Sequence, residues 1–182
     1  MKLIILDRDG VINVDSDDYV KHPDEWHPLP GSLEAIARLS RAGWKVVVAS
    51  NQSGLARGYF DAAALNDMHL KCRELLRPLG GVIDAFFVCP HGPDDGCNCR
   101  KPAPGMFHEI ASRFDTSLNG LPAVGDSLRD LQASAAAGCT PWLVETGNGI
   151  KTRQSANLPA NTHFGKDLAD VVDQILALES NE

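Results

Sequence analysis

The chain predicts an α/β fold: a three-layer arrangement in which a parallel sheet carries helices on both faces. Two observations predict it. Short apolar runs rich in β-branched residues recur along the 182 residues and alternate with segments of helical spacing. Three of those runs also end directly in acidic or hydroxyl residues, at Asp7, Ser50 and Asp126. Alternating strands and helices pair in parallel, and right-handed crossovers put every strand C-terminus on one edge of the sheet. Ligands of open α/β sheets bind at that edge, so residues far apart in sequence are expected to share one site.

The elements follow in order. Lys2–Leu6 is the first strand. Ser32–Ala42 has Leu33, Ile36, Ala37 and Leu39 at helical spacing, and Gly43 follows as a C-terminal stop. Lys45–Ala49 is the second strand. Ala62–Leu79 gathers Leu65, Met68, Cys72, Leu75 and Leu79 on one helix face, with Asp61 as the N-cap. Ala85–Val88 is the third strand, and Pro104–Phe114 a helix opened by a proline suited to a first turn. Leu121–Val124 and Pro141–Val144 are strands, separated by a helix at Leu128–Ala137, and Asp167–Leu178 is the last helix. Thr146–Pro159 is polar and contains glycine, and reads as a loop.

The composition narrows the function classes. A hydrophobic content of 43% and the length suit one globular domain, residues 1–182, that needs no staple to fold. The formal net charge of −7 argues against nucleic acid as a partner, because phosphate backbones are held by Lys/Arg clusters. No run approaches the ~20 apolar residues of a membrane span, and Met1–Asp7 lacks the features of a signal peptide. The expected location is the cytoplasm, where the five cysteines should not form disulfides.

Two clusters carry chemistry. Asp7-Arg8-Asp9-Gly10 puts two carboxylates one residue apart after Leu3-Ile4-Ile5-Leu6. Their charges repel at a partly wet strand end, and a divalent cation would relieve the repulsion. An acidic turn closing a strand is the alternative for this motif alone. The second cluster is Cys89, His91, Cys97 and Cys99, three cysteines and a histidine within eleven positions. That set matches a closed tetrahedral zinc site with no open position, hence a structural one. It anchors a loop at about 89–101 that is poor in apolar residues and leads directly into Arg100 and Lys101. His22, His27, His69, His108 and His163 have no comparable neighbours, and Trp26, Trp44 and Trp142 read as packing residues.

Read together, Asp7-Arg8-Asp9-Gly10, Ser50, Lys101-Pro102 and Gly125-Asp126-Ser127 with Asp130 form the four-part pattern of the haloacid dehalogenase-like phosphohydrolases, and the chain resembles that superfamily from end to end. Asp7 through Asn13, Asn51 through Gly58, and Arg100-Lys101-Pro102 are similar to its heptose bisphosphate phosphatases. The resemblance implies a Rossmann-like sheet with a minimal cap and an open site served by loops, a monomer, and a small sugar-bisphosphate substrate. It implies that Asp7 is the nucleophile, that Asp9 is the general acid/base, and that Ser50 and Lys101 stabilise the phosphoryl group. It further implies Mg²⁺ held by the side chains of Asp7 and Asp126 and the backbone carbonyl of Asp9, with Asp130 behind them. Asp15, Asp18, Tyr19, Asn51, Gln52, Ser53, Arg57 and Arg100 are the candidate substrate contacts. Arg100 is expected to recognise the sugar or its second phosphate, with zinc fixing the basic pair against the substrate. The product would be a heptose 1-phosphate on the way to nucleotide-activated heptose for surface glycans. Histidinol phosphate is the alternative substrate, and a nucleic-acid 3′-phosphatase a more distant one. A silent sugar-phosphate binder is an alternative of another class.

Overall fold

The computed structural model describes residues 1–179. Six strands form one parallel sheet: β1 (Leu3–Leu6), β2 (Lys45–Asn51), β3 (Ala85–Cys89), β4 (Pro122–Gly125), β5 (Thr140–Val144) and β6 (His163–Gly165). Their order across the sheet is β3-β2-β1-β4-β5-β6. The helices are α1 (Ser32–Arg41), α2 (Ala62–Leu76), α3 (Gly105–Phe114), α4 (Leu128–Ala136), α5 (Gly149–Arg153) and α6 (Leu168–Glu179). None is long and apolar enough to cross a membrane.

Strand alternation sorts the core into two layers. Ile4 and Leu6 of β1 pack with Val46 and Val48 against α1, α2 and α6, where Trp26 also lies buried. Leu3 and Ile5 point the other way, and pack with Val47 and Ala49 against Met106, Phe107 and Ile110 of α3 and Ala133 of α4. Cys72 and Cys139 are buried among apolar neighbours, and burial pushes both thiols up to about 12. All five cysteines are free. The expected caps are in place: Gly43 adopts φ 80° after α1, and the Asp61 carboxylate accepts from the Ala64 N–H at 2.8 Å.

The structure corrects several boundaries. The helix expected over Ala62–Leu79 stops at Leu76 and tightens into a 3-10 turn over Arg77–Leu79, because Pro78 has no N–H for the helical ladder. Pro104 flanks α3 rather than opening it. The segment expected to be a loop, Thr146–Pro159, contains the five-residue α5, and the edge strand β6 follows it. Neither is long enough to show a period.

The chain runs from β1 outward to β3, then returns to β4 on the other side of β1. That reversal leaves a crevice at the strand C-termini between β1 and β4, where Leu6 pairs with Val124. Loops cover this edge.

Candidate active site

Asp7 follows β1 and is tied to β4 by its N–H, which donates to the Val124 carbonyl at 2.9 Å. Asp126 follows β4 directly, and Asp130 lies in the first turn of α4. One carboxylate oxygen from each of Asp7, Asp126 and Asp130 lies within 4.8 Å of the others. The backbone is built around this group. Gly10 (φ +84°) and Gly147 (φ +57°) both pass so close that a Cβ on either would sit 2.2 Å from Asp126 Oδ2.

Lys101 reaches the cluster from the end of the cysteine-rich loop and is 2% exposed. Its Nζ is 3.0 Å from Asp7 Oδ1 and 2.7 Å from Asp130 Oδ1, and it donates to the Ala49 carbonyl at 2.8 Å. Asn51 at the end of β2 holds the Lys101 backbone in two bonds of 3.0 Å, one accepted and one donated by its amide. The peptide bond between Lys101 and Pro102 is cis.

The electrostatics separate the acids. Burial and the Asp130 charge push Asp7 up to about 7 despite Lys101, and burial with Asp130 and Asp7 pushes Asp126 up to about 8. Burial also opposes charge on Asp130, yet Lys101 and the Ser127 hydrogen bonds hold its carboxyl below the usual range. Lys101 is desolvated too, but Asp130 and Asp7 raise it to about 12. Three carboxylates therefore face one ammonium, and the excess negative charge falls on Asp7 and Asp126. A hard oxygen donor set with unneutralised charge fits Mg²⁺.

Asp9 points into a different setting. Burial disfavours its charge, but Arg8 and the amides of Asn13 and Gln52 hold its carboxyl below the usual range. Arg8 Nη2 donates to Asp9 Oδ1 at 2.9 Å, Asn13 Nδ2 to Oδ1 at 2.8 Å and Gln52 Nε2 to Oδ2 at 2.8 Å. Sequence reading assigned no task to Arg8, which is 1% exposed. Alternation places position 8 on the same face of the sheet as Ile4 and Leu6.

Asp7, Asp9, Lys101 and Asp126 open onto a cleft of about 450 Å³. Asp15, Tyr19, Asn51, Gln52, Ser53, Arg57 and Arg100 line it as expected. Asp18 and Ser50 do not. Asp18 lies on the exposed side of its loop, and its neighbours Ser16 and Asp17 line the cleft in its place. Ser50 is 1% exposed, and its hydroxyl accepts from Gln52 Nε2 at 2.8 Å. Tyr19 adopts φ 63°, a left-handed conformation, with its ring 5.1 Å from that of Tyr59. Arg129 and Asn148 also line the cleft and were not anticipated. The Asn148 N–H donates to Asp126 Oδ2 at 2.8 Å, and its side-chain Nδ2 is 3.2 Å from both Asp126 Oδ2 and Asp15 Oδ2. It thus joins the loop after β1 to the carboxylate after β4.

The second cluster forms at the end of β3. Cys89 Sγ is 3.7 Å from both Cys97 Sγ and His91 Nδ1. Cys99 Sγ is 3.3 Å from His91 Nδ1 and 3.2 Å from Cys89 Sγ. Tetrahedral zinc, with bonds of about 2.3 Å to sulfur and about 2.0 Å to nitrogen, sets its ligand atoms roughly 3.5–3.8 Å apart. The four donors fit that ion. Two backbone bonds connect the cluster to its surroundings: Gln52 N–H donates to Cys89 O at 2.8 Å, and Gly105 N–H to Asn98 O at 2.9 Å.

A family model described as haloacid dehalogenase-like hydrolase matches residues 6–138. The D-glycero-β-D-manno-heptose-1,7-bisphosphate 7-phosphatase of Bordetella bronchiseptica is 65% identical over 176 residues, covering 97% of this chain and 98% of that protein. The enzyme of the same name from Pseudomonas aeruginosa is 55% identical over 174 residues, covering 96% and 97%. The crystal structure of D,D-heptose 1,7-bisphosphate phosphatase from B. bronchiseptica, complexed with magnesium and phosphate, superimposes with a TM-score of 0.97, covering 98% of this chain and 99% of that one.

Proposed function

We propose that this chain, which belongs to the haloacid dehalogenase-like hydrolases, removes the 7-phosphate of D-glycero-D-manno-heptose 1,7-bisphosphate. The observation that carries the reading is the convergence of Asp7, Asp126, Asp130 and Lys101 beside Asp9 at the mouth of one cleft. The relatives that share this chain's full span act, by name, on the heptose bisphosphate, which favours that substrate over histidinol phosphate. The product is heptose 1-phosphate, an intermediate toward nucleotide-activated heptose for surface glycans. Residues 1–182 act as one phosphatase domain with a zinc loop at 89–101, as a monomer in the cytoplasm.

Asp7 attacks the 7-phosphorus, forming an aspartyl-phosphate as the bond from phosphorus to O7 breaks. Asp9 gives a proton to that leaving oxygen. Water then attacks the aspartyl-phosphate, passes its proton to Asp9 and releases phosphate and free Asp7. The contacts with Arg8, Asn13 and Gln52 suit Asp9 to the second, basic half, and the acidic half requires that one of them loosen. Arg8 N–H and Lys101 both engage Asp7 Oδ1, which orients the carboxylate and leaves Oδ2 for attack. Lys101 is positioned to balance charge on the transferred phosphoryl group. Mg²⁺, held by Asp7 and Asp126 with the Asp9 carbonyl, would shield the attacking carboxylate from the phosphate and stabilise transferred charge. Ser50 accepts from Gln52 Nε2, which leaves its own O–H available to donate to a phosphoryl oxygen.

The test is Mg²⁺-dependent phosphate release from the α- and β-anomers of heptose 1,7-bisphosphate, with histidinol phosphate in parallel and Asp7→Asn as control. Fast turnover is expected of the bisphosphate, with the β-anomer preferred as in the names of the relatives. Turnover of histidinol phosphate alone would overturn the substrate and keep the mechanism.

A further inference from the structure

The two oxygens of the Asp9 carboxylate are held differently. Oδ1 accepts from Arg8 Nη2 at 2.9 Å and from Asn13 Nδ2 at 2.8 Å, and both donors belong to buried residues. Arg8 Nε is shared between the two oxygens, 3.2 Å from each. Among the described residues Oδ2 has one close donor of its own, Gln52 Nε2 at 2.8 Å. A carboxylate offers about two acceptor sites on each oxygen, so Oδ1 is filled while Oδ2 keeps a site for a proton or a water. Gln52 sets the direction of that site. The same nitrogen gives its other N–H to Ser50 Oγ at 2.8 Å. Both donors of the amide are thereby used inside the protein, on a side chain that is 5% exposed although it lines the cleft.

The orientation of the amide is forced. Its Oε1 lies 3.4 Å from Arg8 Nη2, and a guanidinium only donates. Turned over, Oε1 would meet the Asp9 carboxylate, which when ionised only accepts. The backbone is fixed as well, since the Gln52 N–H donates to the Cys89 carbonyl at the end of β3 at 2.8 Å. The sequence offers Gln52 as a substrate contact, but a sugar hydroxyl would find no free N–H on it. We propose that Gln52 is a positioning residue instead: one amide nitrogen holds the Asp9 oxygen that carries the proton and the Ser50 hydroxyl that meets the phosphoryl group in fixed relation. The inference rests on the phosphatase reading above and adds what aligns proton transfer with phosphoryl transfer. Such alignment acts on kcat, where a displacement of about 1 Å costs about 100-fold.

The experiment compares heptose 1,7-bisphosphate with p-nitrophenyl phosphate, which has no sugar, in the wild type, Gln52→Ala and Gln52→Met. Methionine keeps the bulk of the side chain and removes both donors. In both variants kcat for the bisphosphate is expected to fall about 10- to 100-fold with KM little changed. Turnover of the aryl phosphate should fall as well, because Asp9 must still activate water to hydrolyse the aspartyl-phosphate. A raised KM for the bisphosphate with kcat unchanged, and unaltered turnover of the aryl phosphate, would overturn the proposal and make Gln52 a sugar contact. Full activity in Gln52→Met with loss only in Gln52→Ala would overturn it too, leaving Gln52 a packing residue. A wild type that hydrolyses the aryl phosphate but not the heptose bisphosphate would overturn the substrate in the reading above, and the aryl phosphate would still decide the role of Gln52.

Discussion

The carboxylate cluster at the sheet edge and the thiol–imidazole cluster after β3 each crowd their donors within 4.8 Å, but different supports hold them. The carboxylates stand on the ends of β1 and β4 and on the first turn of α4, elements whose geometry follows from the buried core. Lys101, Asn148 and Ser127 then bond them individually. Of the sulfur ligands, only Cys89 sits on a strand. His91, Cys97 and Cys99 lie on a loop whose stretch from Gly92 to Gly96 has no side chain in the core. The difference teaches that metal has unlike roles at the two sites. At the first a cation would neutralise a geometry set by the core, and at the second it would cross-link a loop whose Gly92–Gly96 stretch has no side chain in the core.

Replacing Asp7 breaks the comparison on the side of chemistry. Asp7→Asn is expected to lower kcat by about 10⁴-fold or more, because the proposed nucleophile and metal ligand go together. The same change should raise the melting temperature of the Mg²⁺-free protein by a few degrees, since a repelling buried charge is removed. Calorimetry of the variant checks it, and a lowered melting temperature would contradict the crowding argument.

Zinc removal probes the other side. Chelating the ion, or making Cys99→Ser, should raise KM for the bisphosphate by about 10- to 100-fold, because Arg100 and Lys101 lose their anchor. Amide exchange should speed up across 89–101 while β1 and β4 stay protected. Equal loss of protection throughout would mean that the ion holds the domain rather than the loop.

Asn148 sharpens the picture within the carboxylate site. Asn148→Ala removes the bridge between Asp15 and Asp126, while leaving the backbone bond. The Mg²⁺ concentration for half-maximal rate should rise about 10-fold, as for other groups that orient a metal ligand. A rise in KM for sugar with no change in Mg²⁺ dependence would assign Asn148 to the substrate loop alone.

The smallest effect is on stability against pH. Asp7 and Asp126 are raised from 3.8 to about 7 and about 8, so between those values the folded state binds more protons than the unfolded chain. Mg²⁺-free stability therefore falls as pH rises through that interval. His69 works in the opposite sense: burial and the Arg8 charge depress it from 6.5 to about 3, which removes stability as pH falls below 6.5. Between pH 6.5 and 8 the two aspartates act without that opposition, and melting temperature should drop there by a few degrees unless Mg²⁺ is present.

Much of the site was readable from residue type and spacing. Asp7, Asp9, Lys101 and Asp126 each stand next to a strand signal or in a motif whose chemistry needs that residue, and the zinc ligands lie close together along the chain. Asp18 and Ser50 show the limit of such reading. Both sit at the expected places, yet neither lines the cleft: Asp18 is exposed, and Ser50 is buried with its hydroxyl accepting from Gln52. Asn148 and Arg129 left no local trace, because nothing in a lone asparagine after a strand marks a partner more than a hundred residues away, and nothing in an arginine in a first helical turn marks a place in the cleft.

The order of apolar runs and turn residues was enough to specify the alternating fold, the shared edge and the two donor sets, since periodicity and ligand chemistry are local properties of the chain. Which oxygens face one another, that Arg8 is buried against Asp9, and that Arg100 and Arg129 flank a side groove came from the packing of distant segments. Those facts depend on distances across the sheet edge, and such distances exist only once the core has closed.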